Sequence, residues 1–184
     1  MVYYHCSPVS GLKKLQPGKP KAFDKPAAVY MTTSLPMALM YGVRNFEYTY
    51  GYNKEGQIYY VEHFPNALAY LYKGKSASLY ICAPNRVSTT KIPNEAVTDE
   101  PVQITEEKPI ADVYEALLEQ ERTGALVIYR YEDLSDKMLA WIHKVERNEI
   151  QERNLLELGG PMAEYMKEHY PECWAEAEKE REMP

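Results

Sequence analysis

Cysteine is scarce and scattered. Cys6, Cys82 and Cys173 are the only three, an odd number with no C-x-x-C pair, so neither a disulfide framework nor a thiolate metal site is expected, and the expected metal complement is none. No run of 18 apolar residues occurs, which excludes a membrane-spanning helix. The start Met1-Val2-Tyr3-Tyr4-His5 lacks the charged and apolar segments of a secretory leader, so a cytoplasmic protein with no membrane partner is predicted. Excess positive charge is also missing: the formal net charge is −6, and no basic face with interleaved aromatics argues for general nucleic-acid binding. Phenylalanine is nearly replaced by tyrosine, 3 against 17. A tyrosine ring is a flat apolar body with a polar tip, suited to half-buried strands and to pocket walls that stack on planar ligands.

What is present is a chain of 184 residues, 45% hydrophobic, enough for one domain with appendages. The acidity is local. From Glu146 to Pro184 there are 11 acids against 5 bases, and the remainder is neutral. Before Asp24 stand Lys13, Lys14, Lys19 and Lys21 with no acid, a locally basic loop that suits an anionic pyrophosphate or is simply solvated.

Pro8 to Pro26, rich in proline and glycine, predicts an irregular crossing. Thr33 or Ser34 caps a helix with Leu35, Ala38 and Leu39 inward. Asn53-Lys54-Glu55-Gly56 reads as a hairpin tip feeding a strand from Gln57 to Phe64. A helical turn over Ala67–Tyr72 stops at Gly74, with strands over Ala77–Cys82 and Pro101–Thr105 beyond it. Helical spacing runs through Ile110, Val113, Tyr114, Leu117 and Leu118 to Thr123-Gly124, and a strand over Ala125–Tyr131 follows. Ser135 opens a long helix bearing Met138, Trp141, Ile142 and Val145; Gly159-Gly160-Pro161 separates it from a last helix broken at Pro171. The pattern predicts an α+β domain over residues 1–133 and an acidic helical extension over 134–184 packed on it, without a core of its own.

Three predicted strand ends carry polar residues. Tyr3-Tyr4-His5-Cys6-Ser7 ends in a histidine and a hydroxyl, Val29-Tyr30-Met31-Thr32 delivers a tyrosine and a hydroxyl, and Glu100 precedes Pro101-Val102-Gln103-Ile104. Pro101 forces an extended residue before it, which holds Glu100 at a strand mouth. Asp99, Glu62, Glu106 and Glu107 compete with Glu100 as the functional carboxylate, and a strand-end histidine also serves as a hydrogen-bonded structural residue.

On these motifs, Val2 to about Ile104 resembles the ADP-ribosyltransferase fold of the diphtheria-toxin and poly(ADP-ribose) polymerase type. That family builds its NAD site from a His, a Tyr and a Glu on separate strands. Its Tyr-His-Gly-Ser/Thr motif appears as Tyr4-His5-Cys6-Ser7, and its Tyr strand as Val29-Tyr30-Met31, leading through a helix to Tyr41. The resemblance implies a split antiparallel sheet, and NAD as substrate with no metal. It further implies transfer of ADP-ribose to an acceptor of unassigned class: protein, nucleic acid or small molecule. By the same resemblance Tyr30 and Tyr41 sandwich nicotinamide, Glu100 is the catalytic carboxylate and His5 binds the adenine-side ribose. Ser7 supports His5 or the ligand, and Cys6 and Thr32 line the cofactor.

Two departures carry expectations of their own. Cys6 stands where the family has glycine, so its side chain is expected either to narrow the pocket or to swap in a thiol contact, at a cost to NAD binding. That favours the alternative of a degenerate nucleotide- or protein-binding module. Thr98, two before Glu100, is not the Glu or Gln that marks arginine-modifying members. A relation to the RNA 2′-phosphotransferases would need arginines that the first 43 residues lack. A structural partner protein using the acidic tail is the third alternative.

Overall fold

A computed structural model describes residues 1–18 and 27–182. Part of the Pro8–Pro26 crossing, with Lys19 and Lys21, lies outside the described residues. The chain divides into two compact units, Met1–Tyr60 with Leu68–Ile128, and Val61–Ala67 with Tyr129–Pro184. The expected boundary near 133 thus falls at 128, and a short internal segment joins the helical unit.

In the first unit the strands are β1 (Tyr3–Ser7), β2 (Lys14–Leu15), β3 (Val29–Thr32), β4 (Tyr50–Tyr52), β5 (Ile58–Val61), β6 (Ala77–Ala83), β7 (Ser88–Thr89), β8 (Glu95–Thr98), β9 (Val102–Ile110) and β10 (Val127–Tyr129), the last residues of β5 and β10, Val61 and Tyr129, belonging to the second unit. Seven of them form one antiparallel sheet in the order β2-β9-β6-β1-β3-β8-β7, and β10-β5-β4 form a second. Val29, Met31, Tyr80, Cys82, Val102 and Leu15 pack as one core cluster, because alternate residues of β3 and β6 face the same way. Ile110, read as helical, ends β9 instead: the helix waits for Asp112, whose side chain accepts from the Tyr114 and Glu115 N–H groups.

The helices of this unit are α1 (Leu35–Tyr41), α2 (Ala67–Tyr72), whose first residue belongs to the other unit, and α3 (Val113–Arg122). Ser34 Oγ accepts from Met37 N–H to start α1, as its position predicts. At the hairpin tip Asn53 Oδ1 accepts from the N–H groups of Glu55 and Gln57, and Gly56 sits at φ 80, a left-handed value that favours glycine.

The second unit holds α4 (Asp136–Glu152), α5 (Leu155–Leu158), α6 (Pro161–His169) and α7 (Pro171–Glu182). Pro171 does not merely end a helix; it opens the next one, since proline at a first helical position gives up an N–H that has no partner there anyway. Contrary to the expectation of a coreless extension, this unit buries Ile142, Ile150, Tyr165, Met166, Tyr170, Cys173 and Trp174, and Phe64 stacks on His169 at 4.1 Å.

Candidate functional site

β1 lies at the centre of the large sheet, and its two edges differ. It pairs with β6 at all five residues, Tyr3 to Ser7, but with β3 only at Tyr4–Thr32. The seam between β1 and β3 is thus more sparsely paired than the β1–β6 edge, within one continuous sheet. One residue past the single ladder pair, His5 Nδ1 lies 3.0 Å from the Tyr30 carbonyl oxygen. A carbonyl only accepts, so Nδ1 carries the proton and Nε2 presents a lone pair. Burial holds the His5 imidazole below its ordinary range against the opposing pull of that hydrogen bond, which keeps the ring neutral.

His5 and Tyr30 are thus brought together, but not in one row. Tyr4 is opposite Thr32, so alternation puts His5 on the other side of the sheet, opposite Tyr80, with ring centroids 6.5 Å apart. The Tyr30 side chain shares its face with Thr32. The two side chains border the seam from its two faces, joined through the Tyr30 carbonyl.

The carboxylate beside Tyr30 is Glu95, across the other edge of β3 from this seam. It opens β8 directly opposite Thr32, while Tyr30 is opposite Val97, so Glu95 and Tyr30 are diagonal neighbours on one face. Glu95 is 8% exposed, and Thr90 Oγ1 donates to its Oε2 at 2.6 Å. Its charge reaches four tyrosines: burial first, with Glu95 contributing, holds the hydroxyls of Tyr30, Tyr41, Tyr50 and Tyr52 above the usual tyrosine range. The strand start is pinned by Asn94, at φ 63, whose carbonyl accepts from Thr33 N–H at 2.9 Å and whose Oδ1 accepts from Thr33 Oγ1.

Glu100 is placed elsewhere. It opens no strand: it lies in the bend between β8 and β9, past Thr98, and its N–H donates to Thr98 Oγ1 at 3.2 Å. Thr98 is opposite Val29, at the end of β8 remote from Glu95. Ahead of Pro101, Glu100 lies in a bend between strands rather than at the mouth of one. The overlooked signal was Pro93-Asn94 ahead of Glu95-Ala96-Val97-Thr98, a turn pair before a four-residue strand with only two apolar positions.

The remaining expected residues have identifiable tasks. Tyr41, at the end of α1, stacks on Tyr48 (4.6 Å, 24°), shares a 3.2 Å hydroxyl contact with Tyr50 and stays 39% exposed. One of its faces is therefore backed by Tyr48. Thr32 Oγ1 donates to Met37 Sδ and accepts from Ser34 N–H, tying β3 to α1. Ser7 Oγ accepts from Val9 N–H at 3.1 Å, so it shapes the following turn rather than supporting His5.

Cys6 does not narrow a pocket. It is buried, and a Cβ built on Gly42 would stand 2.6 Å from its Sγ, so the thiol fills the space that Gly42 leaves at the end of α1. Burial pushes this thiol up to about 12, which makes it inert as a nucleophile. No helix among the described residues is long and apolar enough to cross a membrane. The chain matches no protein-family model and no curated protein.

Proposed function

We propose that the first unit binds NAD at the seam between β1 and β3, breaks the bond between nicotinamide and ribose, and passes ADP-ribose to a nucleophile, water in the simplest case. The observation that carries this reading is Glu95 opening β8 beside Tyr30, within reach of a wall of tyrosines. Heterolysis leaves the electron pair on nicotinamide and positive charge on the ribose C1′ and ring oxygen. A fixed carboxylate stabilises that cation and accepts a hydrogen bond from the 2′-hydroxyl. Tyr30 and Tyr41 supply flat faces for the nicotinamide ring.

His5 contributes as a neutral acceptor. With Nδ1–H committed to the Tyr30 carbonyl, Nε2 is left to accept a hydrogen bond from a ribose hydroxyl. The β1 backbone along the seam, unpaired with β3 past Tyr4, offers main-chain groups to a planar amide, and Cys6 leaves that approach clear because its side chain is turned to Gly42. The test is release of fluorescence from etheno-NAD by the purified chain, with Glu95→Gln as the comparison. No calorimetric NAD binding at millimolar ligand would defeat the proposal.

A further inference from the structure

A cavity of about 470 Å³ opens in the first unit where three segments meet: Pro8 and Val9 after β1, Gly42, Val43 and Arg44 after α1, and Lys75 and Ser76 before β6. Its walls are apolar. The Val9 wall is fixed, because the Val9 carbonyl accepts from the Tyr80 hydroxyl at 2.7 Å and that hydroxyl accepts in turn from Leu12 N–H. The Val43 side is fixed as well, its carbonyl accepting from the Tyr48 hydroxyl at 3.0 Å.

The rim carries two cations from different segments. Some cations of this chain find carboxylates, as Arg122 does in Glu119 and Arg147 in Glu176 and Glu180, while others, Lys54 and Lys91 among them, stand in solvent without one. Among the described residues, Arg44 and Lys75 pair with none. Partial burial holds the Lys75 ammonium below its usual range, although the residue stays exposed. Two unpaired positive groups over apolar walls match a doubly charged anion on an organic body. A guanidinium grips two oxygens of such a group and an ammonium a third.

We infer that this cavity takes the phosphoryl group of a small organic molecule, held by Arg44 and Lys75 with the Ser76 hydroxyl donating, and with Pro8, Val9 and Val43 against the organic part. Phosphate is favoured over a single carboxylate because two cations border one cavity. The strand bearing His5 runs into Pro8, and the helix ending at Tyr41 runs into Gly42, so the cavity adjoins the seam. The phosphate therefore comes from one of two sources, the pyrophosphate of a bound dinucleotide or a phosphate on the acceptor. Only this choice rests on the function proposed above.

Isothermal titration of the full chain with inorganic pyrophosphate, and separately with NAD, tests it. Arg44→Gln and Lys75→Gln change exposed side chains and should leave the melting temperature unchanged. Each should weaken pyrophosphate about tenfold and the double variant more than a hundredfold, with Lys108→Gln, on an exposed strand, as the unaffected control. NAD affinity falling in step assigns the site to the dinucleotide; NAD affinity unchanged while pyrophosphate is lost assigns it to the acceptor. Either result supports an anion site. Pyrophosphate that fails to bind the parent at millimolar concentration, or binds the double variant as tightly as the parent, overturns it. The anion site stands or falls independently of NAD cleavage, since a chain that leaves NAD intact can still bind pyrophosphate through these two cations.

Discussion

Glu95 and Tyr30 are diagonal neighbours on one face of adjoining antiparallel strands, and the Glu95 charge, added to burial, holds the Tyr30 hydroxyl above its usual range. A carboxylate so placed next to an aromatic face can act on a cation that develops between them. Glu100 lies past the other end of β8, away from this aromatic face.

The first prediction separates the two carboxylates. Glu95→Gln keeps size and hydrogen-bonding capacity but removes the charge facing the ribosyl cation, so NAD cleavage should fall by about 10²–10³ with little change in NAD affinity. Glu100→Gln should change cleavage less than about twofold. Single-turnover rates and calorimetry on both variants check this, and a slow Glu100→Gln protein with a fast Glu95→Gln protein would reverse the assignment.

Thr90 is a positioning residue for Glu95. Its hydroxyl donates to Glu95 Oε2 and accepts from Ile92 N–H at 3.0 Å, so one side chain orients the carboxylate and braces the turn before β8. Thr90→Val should lower kcat about tenfold, roughly the 1.4 kcal/mol of one hydrogen bond, and Thr90→Ser should restore it. Equal loss in both variants would mean that packing, not the hydroxyl, matters.

A pH dependence follows from His5. Its folded pKa lies below the ordinary 6.5, so the folded ring stays neutral where the unfolded ring takes up a proton. The stability it contributes is complete above pH 6.5 and is lost as pH falls from there towards the folded value. NAD binding, which in the proposed site uses the Nε2 lone pair, should be flat above pH 6.5 and weaken only as pH falls below it. Titration of affinity from pH 8 to 5 reads this directly; His5→Gln should be flat, and a midpoint above 6.5 in the parent would contradict the neutral-ring geometry.

The motifs at His5 and Tyr30 were legible because each ends an aromatic, apolar run long enough to read as a strand. The caps at Ser34 and Ser135 were legible because capping is local chemistry. Glu95 was not: β8 has four residues, two of them polar, and gains its strand character from pairing with β3, which no local pattern encodes. The direction of Cys6 was hidden for the same reason. Its sulfur fills the space left by Gly42, a residue distant in sequence, so the vacancy and its filler are joined only by the fold. In the helical unit the spacing of apolar residues was visible, but the buried partner of His63 was not.

Cys6 and Gly42 form a size-complementary pair. A Cβ on Gly42 would meet Cys6 Sγ at 2.6 Å, the Leu39 carbonyl at 3.0 Å and Ala77 Cβ at 3.1 Å, so Gly42→Ala should destabilise by about 1–3 kcal/mol through overpacking. Cys6→Ala alone should also destabilise, by opening a void. Together they should cost less than their sum, and urea unfolding of the four proteins measures the coupling. Cys6→Gly should lower stability without tightening NAD, because the thiol does not stand in the ligand's way.

The last prediction concerns the helical unit. His63 Nδ1 and Glu146 Oε1 are 2.6 Å apart with side-chain exposures of 7% and 6%, and Trp141 meets the His63 ring edge-on at 5.7 Å. Taking two polar groups out of water is repaid only while each satisfies the other, so removing one leaves a buried group uncompensated. Glu146→Leu should therefore destabilise this unit by about 1–3 kcal/mol. Replacing both with apolar residues of similar size, His63→Phe with Glu146→Leu, should recover most of that loss, since neither then needs a partner. Thermal unfolding of the parent, the two single variants and the double variant decides it: additive losses would show that the two residues do not act as a pair, and a double variant close to the parent would show that they do.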